Sequence, residues 1–374
     1  MRTLLIALFL FFSNVLMAQQ HYLFIGTYTH TGSKGIYVYQ FDAATGVATP
    51  VSHTDSVVNP SYLALSADGR FVYAVNETGG DKPGGVSAFA FDAKEGKLQL
   101  INQQLSGGDH PCYIAITKDN KWAAVGNYSG GNFSLFPIGA NGSLQPAAQT
   151  VQHKGSSANK ERQEAAHVHA TVFSPDEKFL LTPDLGTDKI MLYAFDKNRT
   201  QPAQPHTQPF AQSEEGSGPR HITFHPNGAW AYHIEELTGT VVAHQYQRGN
   251  LKMLQRLPAH EKGSTSKKGS ADIHVSPDGK FLYASNRGDE NNLAIFAIDA
   301  ATGKLTPKGY QSVMGKSPRN FIIDPSGKFL LVANQETDNI VIFRRDEKTG
   351  LLKETGQQIS LPKPVCLKLM PIKK

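Results

Sequence analysis

The sequence predicts an all-β fold, a seven-bladed β-propeller with four-stranded blades, and three observations predict it. First, a hairpin-like segment recurs six times: "NPSYLALSADGRFVYAVNE" (59–77), "HPCYIAITKDNKWAAVGNY" (110–128), "AHVHATVFSPDEKFLLTPDLG" (166–186), "GPRHITFHPNGAWAYHIEE" (218–236), "GSADIHVSPDGKFLYASNR" (269–287) and "SPRNFIIDPSGKFLLVANQ" (317–335). Anchored on the turn residues Ser66, Thr117, Ser174, His225, Ser276 and Asp324, the spacings are 51, 57, 51, 51 and 48 residues, a period that fits propeller blades. Second, a third strand-like run follows each hairpin, such as "GGVSAFAFD", "KIMLYAFD" and "NLAIFAID", and a fourth, polar run leads to the next repeat. Third, the two ends are parts of one more unit. "KPVCLKLM" (363–370) matches a first strand, and "HYLFIGTYTHTGSKGIYVYQFD" (21–42) matches a second and third. One blade built from both termini closes the ring and removes the exposed sheet edges of an open all-β chain.

Composition agrees with short strands joined by turns, with 34 Gly and 21 Pro in 374 residues. The formal charge is +5, from 37 basic and 32 acidic residues. It is too weak and too dispersed for a nucleic-acid partner. The first 18 residues, "MRTLLIALFLFFSNVLMA", combine a basic start, a short apolar run and a small residue at position 18. They read as an export leader, leaving one domain over 19–374 in the periplasm or outside the cell. No later segment has the length of a membrane span, so no membrane association is expected after cleavage. Cys112 and Cys366 fall in non-adjacent repeats, and no disulfide between them is expected.

Within a blade the strands alternate direction, so the start of the innermost strand and the end of the second share one rim. Residues five before the anchor are Ser61, Cys112, His169, Arg220, Ala271 and Arg319. Ten after it stand Asn76, Asn127, Asp184, Glu235, Asn286 and Asn334, a column of turn formers. One further on are Glu77, Tyr128, Leu185, Glu236, Arg287 and Gln335. Successive strand residues face opposite ways, so one of Glu235 and Glu236 is expected to face inward. Arg and Glu are rarely enclosed without partners. His169, Arg220, Glu236, Arg287 and Arg319 at one rim therefore predict a site for an anionic or carbonyl-bearing small molecule. Glu77, Tyr128, Glu235 and Gln335 are candidate substrate contacts. So is His167, which shares the face of His169, although a structural histidine is the better reading of it. Two rim segments, 153–167 and 261–270 with Lys267 and Lys268, are candidates to bring positive charge over the mouth. No phosphate-binding Gly loop, dinucleotide fingerprint, nucleophile elbow or zinc-spaced ligand set is present, and no metal is expected.

The segments "GPRHITFHP" with "EEL", "HVHATVFSPD" with "PDLGTDKI", "VGNYSGGNFSLFPI", "ASNRGDENNLAIF" and "SPRNFIIDPSGKFLLVANQETDNI" resemble, in order, the lactonase family of seven-bladed propellers. That family includes cycloisomerase-type bacterial 6-phosphogluconolactonases and fungal 3-carboxy-cis,cis-muconate lactonizing enzymes. The resemblance runs from about residue 21 to the C-terminus. It implies a cofactor-free site at the propeller mouth and places the family's His, two Arg and Glu on His169, Arg220, Arg287 and Glu236. Glu235 stands where the family pattern has Asn, which would set a second carboxylate beside the site.

Hydrolysis of a sugar δ-lactone needs a base for water and a counter-charge for the carbonyl oxygen. His169 works as a base near neutrality with little tuning, whereas Glu236 would need its pKa raised. Arg220 and Arg287 suit the oxyanion and a carboxylate or phosphate. The expected partner is a small-molecule lactone or anionic sugar acid. Two other readings use the same residues or the same fold: lactone formation by a cycloisomerase, and a non-enzymatic binding propeller.

Overall fold

Short apolar runs that alternate direction at tight turns can satisfy their backbones only by pairing, and they do so within each repeat. A computed structural model describes residues 20–373, apart from 56, 262 and 265–268. The predicted leader, Lys267 and Lys268 lie outside the described residues. Seven four-stranded antiparallel sheets result. The innermost strands of six are Leu63–Leu65, Pro111–Ile116, Val172–Phe173, Pro219–Phe224, Ser270–Val275 and Pro318–Ile323. We number these blades 1 to 6. In blade 7 the C-terminal strand Pro364–Pro371 is innermost and pairs with Gln20–Thr27, followed by Ile36–Asp42 and Ala48–Thr54. Contacts pass from inner strand to inner strand around a closed ring, except that blade 3 meets the inner strand of blade 4 through its second strand, Phe179–Asp184.

The core lies between blades. Tyr232 and Ile234 of blade 4 pack with Leu282, Ala284 and Phe296 of blade 5, all fully buried or nearly so. Each large apolar side chain buried this way is worth about 1.5–3 kcal/mol. A polar stitch repeats beside it. The hydroxyls of Tyr73, Tyr232 and Tyr283 donate to the carbonyls of Gly142, Gly303 and Gly350 in an outer turn of the next blade, at 3.0, 2.9 and 2.6 Å. Gly303 sits at φ 69°, and a Cβ there would lie 2.5 Å from the Trp230 ring, so both conformation and space demand glycine.

The closing strand is clasped on both flanks. Leu367 N–H donates to Asn320 Oδ1 of blade 6 at 2.7 Å, and Leu63 N–H of blade 1 donates to Cys366 Sγ at 3.3 Å. Cys112 and Cys366 are both free and buried. Deleting residues 362–374 strips blade 7 of its inner strand and exposes the edge of Gln20–Thr27. The expected result is loss of the cooperative thermal transition and of near-UV circular dichroism. A truncated chain that still melts cooperatively at the parent temperature would refute the clasp.

One irregularity positions the site. The inner–second strand register slips between Pro111 and Tyr113, between Pro219 and His221, and between Pro318 and Asn320. The skipped residues are Cys112, Arg220 and Arg319. In blade 5 the slip skips Ala271 and Asp272. A β-bulge turns its extra residue out of the ladder and re-aims its side chain. The column five before the anchor is thus, in four blades, a bulge position. Blade 3 departs differently. Its inner ladder is reduced to Val172–Phe173 plus a Val168–Asp184 bridge, and the Asp184 carboxylate takes the N–H groups of His167, Gly186 and Thr187 at 2.8, 3.0 and 3.2 Å.

Candidate active site

Glu236 is the centre of the mouth. It follows the second strand of blade 4, and its N–H donates to the Gly218 carbonyl at 2.7 Å. Three guanidinium groups converge on its carboxylate. Arg162 Nη2 meets Oε1 at 2.7 Å, while Arg220 Nε and Arg287 Nη2 each lie 3.0 Å from Oε2. Burial pushes the Glu236 carboxyl up, but Arg287, Arg220 and Arg162 together outweigh it and hold it at about 2. At neutral pH it is a fixed anion and a weak base, the opposite of the upward shift a general base requires.

Arg220 is the largest fully buried side chain of the described residues. Besides Glu236, its guanidinium reaches the Ala271 carbonyl and, at 3.3 Å, His221 Nε2. Burial and the nearby Arg287 and Arg319 lower its pKa to about 10, so it remains charged. Arg287 is anchored by Nε–H to the Gly269 carbonyl at 2.8 Å. Arg319 lies over the Tyr28 ring at 5.6 Å and 3.8 Å from Glu77, which accepts the Tyr28 hydroxyl at 2.9 Å. Four arginines therefore face two carboxylates across the mouth, an excess positive charge suited to an anionic guest.

His169 Nε2 lies 3.9 Å from Glu236 Oε2, and its Nδ1 lies 3.6 Å from Cys112 Sγ. Burial, then Arg220, His221 and Arg319, hold its pKa well below the usual histidine range, leaving a neutral imidazole. Cys112 is pushed up to about 12, chiefly by burial, and stays a thiol. Tyr128 completes this wall. Its ring meets His169 edge-on at 5.3 Å, and its hydroxyl accepts from Arg162 at 3.2 Å.

One sequence expectation changes, and two further candidates find their places. Glu235 does not stand beside Glu236. It faces the opposite side of its strand, where Oε2 meets Arg256 Nη2 at 2.5 Å and accepts the Thr238 hydroxyl at 3.0 Å. The family-atypical carboxylate thus adds no charge to the mouth. His167 is stacked on Tyr128 at 4.5 Å, with Nδ1 3.1 Å from the Tyr128 carbonyl and Nε2 3.1 Å from Glu164. Both nitrogens are engaged, as a structural histidine's are. Gln335 occupies the rim of blade 6, partly exposed and tied by its N–H to the Ser317 carbonyl at 3.0 Å. The turn-former column behaves as loop geometry. Asn76, Asn127, Asn286 and Asn334 donate to the carbonyls of Val58, Ser106, Ala259 and Val313 on the incoming segments.

Arg162 is the addition that reasoning by columns could not supply. It lies in the long segment 153–167, folded over the mouth by Asn159, which accepts the Glu161 and Arg162 N–H groups, and by Gln163, bonded to Leu185 and Asp188. Among the described residues no cluster of three or more His, Cys, Asp or Glu is arranged to hold a metal ion. A cleft of about 330 Å³ on the opposite rim, lined in part by Leu65, Phe91 and Met370, has its Arg70 paired to Asp68 at 2.7 Å and gathers no comparable charge.

Residues 22–369 match the family model described as lactonase, 7-bladed beta-propeller. The chain belongs to this lactonase family. A member from Formosa agariphila named 6-phosphogluconolactonase is 41% identical over 90% of this chain and 96% of its own length. One from Bacillus subtilis with the same name is 34% identical over 93% and 97%. Among solved structures, a periplasmic gluconolactonase from Pseudomonas aeruginosa superposes with a TM-score of 0.90 at 38% identity, covering 95% of this chain and all of that one. Family membership accounts for the ring and its clasp.

Proposed function

We propose that this lactonase-family protein hydrolyses a sugar δ-lactone of the 6-phosphogluconolactone type at the propeller mouth. The observation that carries the reading is the convergence of Arg162, Arg220 and Arg287 on Glu236 beside a neutral His169. A lactone carbonyl directed at Arg220 and Arg287 meets fixed positive charge where its oxygen becomes negative. His169 is unprotonated because its pKa is held low, and is for the same reason a weaker base than an ordinary histidine; it takes the proton of the attacking water and returns it to the ring oxygen as the acyl C–O bond breaks. Glu236, locked as an anion, orients the arginines and steadies the imidazolium that forms. Excess positive charge favours a substrate bearing carboxylate or phosphate. We further propose that the protein acts outside the cytoplasm, supported by the N-terminal leader pattern and by the periplasmic relative. Among the described residues no helix is long and apolar enough to cross a membrane.

The test is hydrolysis of 6-phosphogluconolactone and gluconolactone by mature protein, with the spontaneous rate subtracted. Acceleration of either supports the reading, and the preferred one assigns the substrate. Acceleration of neither overturns it. The pH profile carries a second prediction. A histidine with an ordinary pKa near 6.5 would lose half its base form there. His169 is held well below that value, so kcat/KM is expected to stay level as pH falls from 8 to 6, with its acid limb lower. A half-maximal point at 6.5 would show that His169 is not the base in the environment described.

A further inference from the structure

Directly below the site column lies a second column, four residues before each anchor: Tyr62, Tyr113, Ala170, His221, Asp272 and Asn320. All but Ala170 are linked by ring contacts or hydrogen bonds. Tyr62 stacks on Tyr113 at 4.1 Å, and both rings meet His221 edge-on, at 6.0 and 5.3 Å. His221 Nδ1 lies 2.8 Å from Asp272 Oδ1. Asp272 Oδ2 accepts from Asn320 Nδ2 at 2.5 Å and lies 3.0 Å from His274 Nε2. Asn320 in turn accepts the Leu367 N–H of the closing strand.

The tautomer of His221 follows from its neighbours. A guanidinium carries only donors, so Arg220 Nη1, 3.3 Å from His221 Nε2, requires a lone pair on that nitrogen. The proton then sits on Nδ1 and is donated to Asp272. Burial, then Arg220, keep His221 neutral, with a pKa of about 4, although Asp272 opposes them. Other titratable or charged groups around it are His169, 5.4 Å away between ring centroids, Tyr62, Tyr113 and His274.

We infer that His221, its tautomer fixed by Asp272, is a positioning residue that holds the Arg220 guanidinium in line with Glu236 and the mouth. Arg220 is gripped at the Ala271 carbonyl, at Glu236 and at His221, in a chain Asp272–His221–Arg220–Glu236 that crosses from blade 5 to blade 4. Without the acceptor on His221, one guanidinium N–H loses its partner and the fork is held only at Ala271 and Glu236. The kinetic readout of this role rests on the lactonase reading. The tautomer does not.

Two measurements test it. Long-range ¹H–¹⁵N correlation on intact protein at pH 7 is expected to show His221 neutral with its proton on Nδ1. A proton on Nε2, or on both nitrogens, overturns the inference whatever the activity. The second uses two substitutions. Gln reaches the position of Nε2 and can offer Arg220 an oxygen, whereas Asn reaches only the position of Nδ1. H221Q is expected to keep kcat/KM within about threefold of the parent, and H221N to lose tenfold or more, mostly in kcat. Equal losses, or losses that follow melting temperature alone, would mean a packing role and overturn it. Inactive parent protein would sink the lactonase reading, and the tautomer would still decide this one.

Discussion

Replacing Arg220 by Met lowers kcat/KM on the preferred lactone by about 10²–10³, the usual loss when one oxyanion donor is removed. Met keeps much of the buried stem and removes the charge. Glu236 retains Arg162 and Arg287 at 2.7 and 3.0 Å, so its carboxylate is not abandoned. How the loss divides identifies the role. If Arg220 stabilises charge that appears only in the transition state, kcat falls and KM barely moves. If it merely holds a phosphate or carboxylate already present on the substrate, KM rises with kcat intact, and the oxyanion assignment fails. Binding of the product acid by calorimetry gives a control. Under the oxyanion assignment it weakens far less than kcat does.

Glu236→Gln is the second large effect, and it is first an effect on folding. Removing one partner of a buried ion pair costs about 3–5 kcal/mol, because the remaining charge stays desolvated without compensation. Here Arg220 and Arg287 are both enclosed, and the partly exposed Arg162 loses its short contact. Denaturant midpoints are expected to fall accordingly, with activity lost as the arginines separate. Inorganic phosphate should restore part of the stability, since an anion that binds only the folded chain stabilises it by mass action. A variant as stable as the parent and indifferent to phosphate would show that the arginines do not depend on this carboxylate.

The ring was legible because blades repeat: the same turn at a near-constant interval, with half-units at the termini, leaves little choice of topology. The site column was legible for the same reason, although its cause was not. Cys112, Arg220 and Arg319 align by counting, but only the register slips show why they point to the mouth rather than into the ladder. Parity was the first casualty. Glu235 and Glu236 are adjacent, and alternation says that one faces in without saying which. Segment 153–167 was a candidate to bring positive charge over the mouth, but Arg162 itself was not singled out. Segment 153–167 has no counterpart in the other repeats, so nothing aligned it with the site. The His221–Asp272 pair could have been found by reading one column further, since 51 residues separate two neighbours in the ring.

The slips at the inner strands separate two demands that a β-sheet normally makes of one residue. A ladder position must suit its strand partner and the packed faces on either side. A residue lifted out of the ladder is released from the strand partner and answers to the neighbouring blades and the mouth. Blade 2 holds a thiol there, blades 4 and 6 an arginine, and blade 5 the small Ala271, whose blade still completes its sheet. The architecture therefore works like a keyboard on a fixed frame. The lifted position differs in residue type from blade to blade while every blade keeps its four strands.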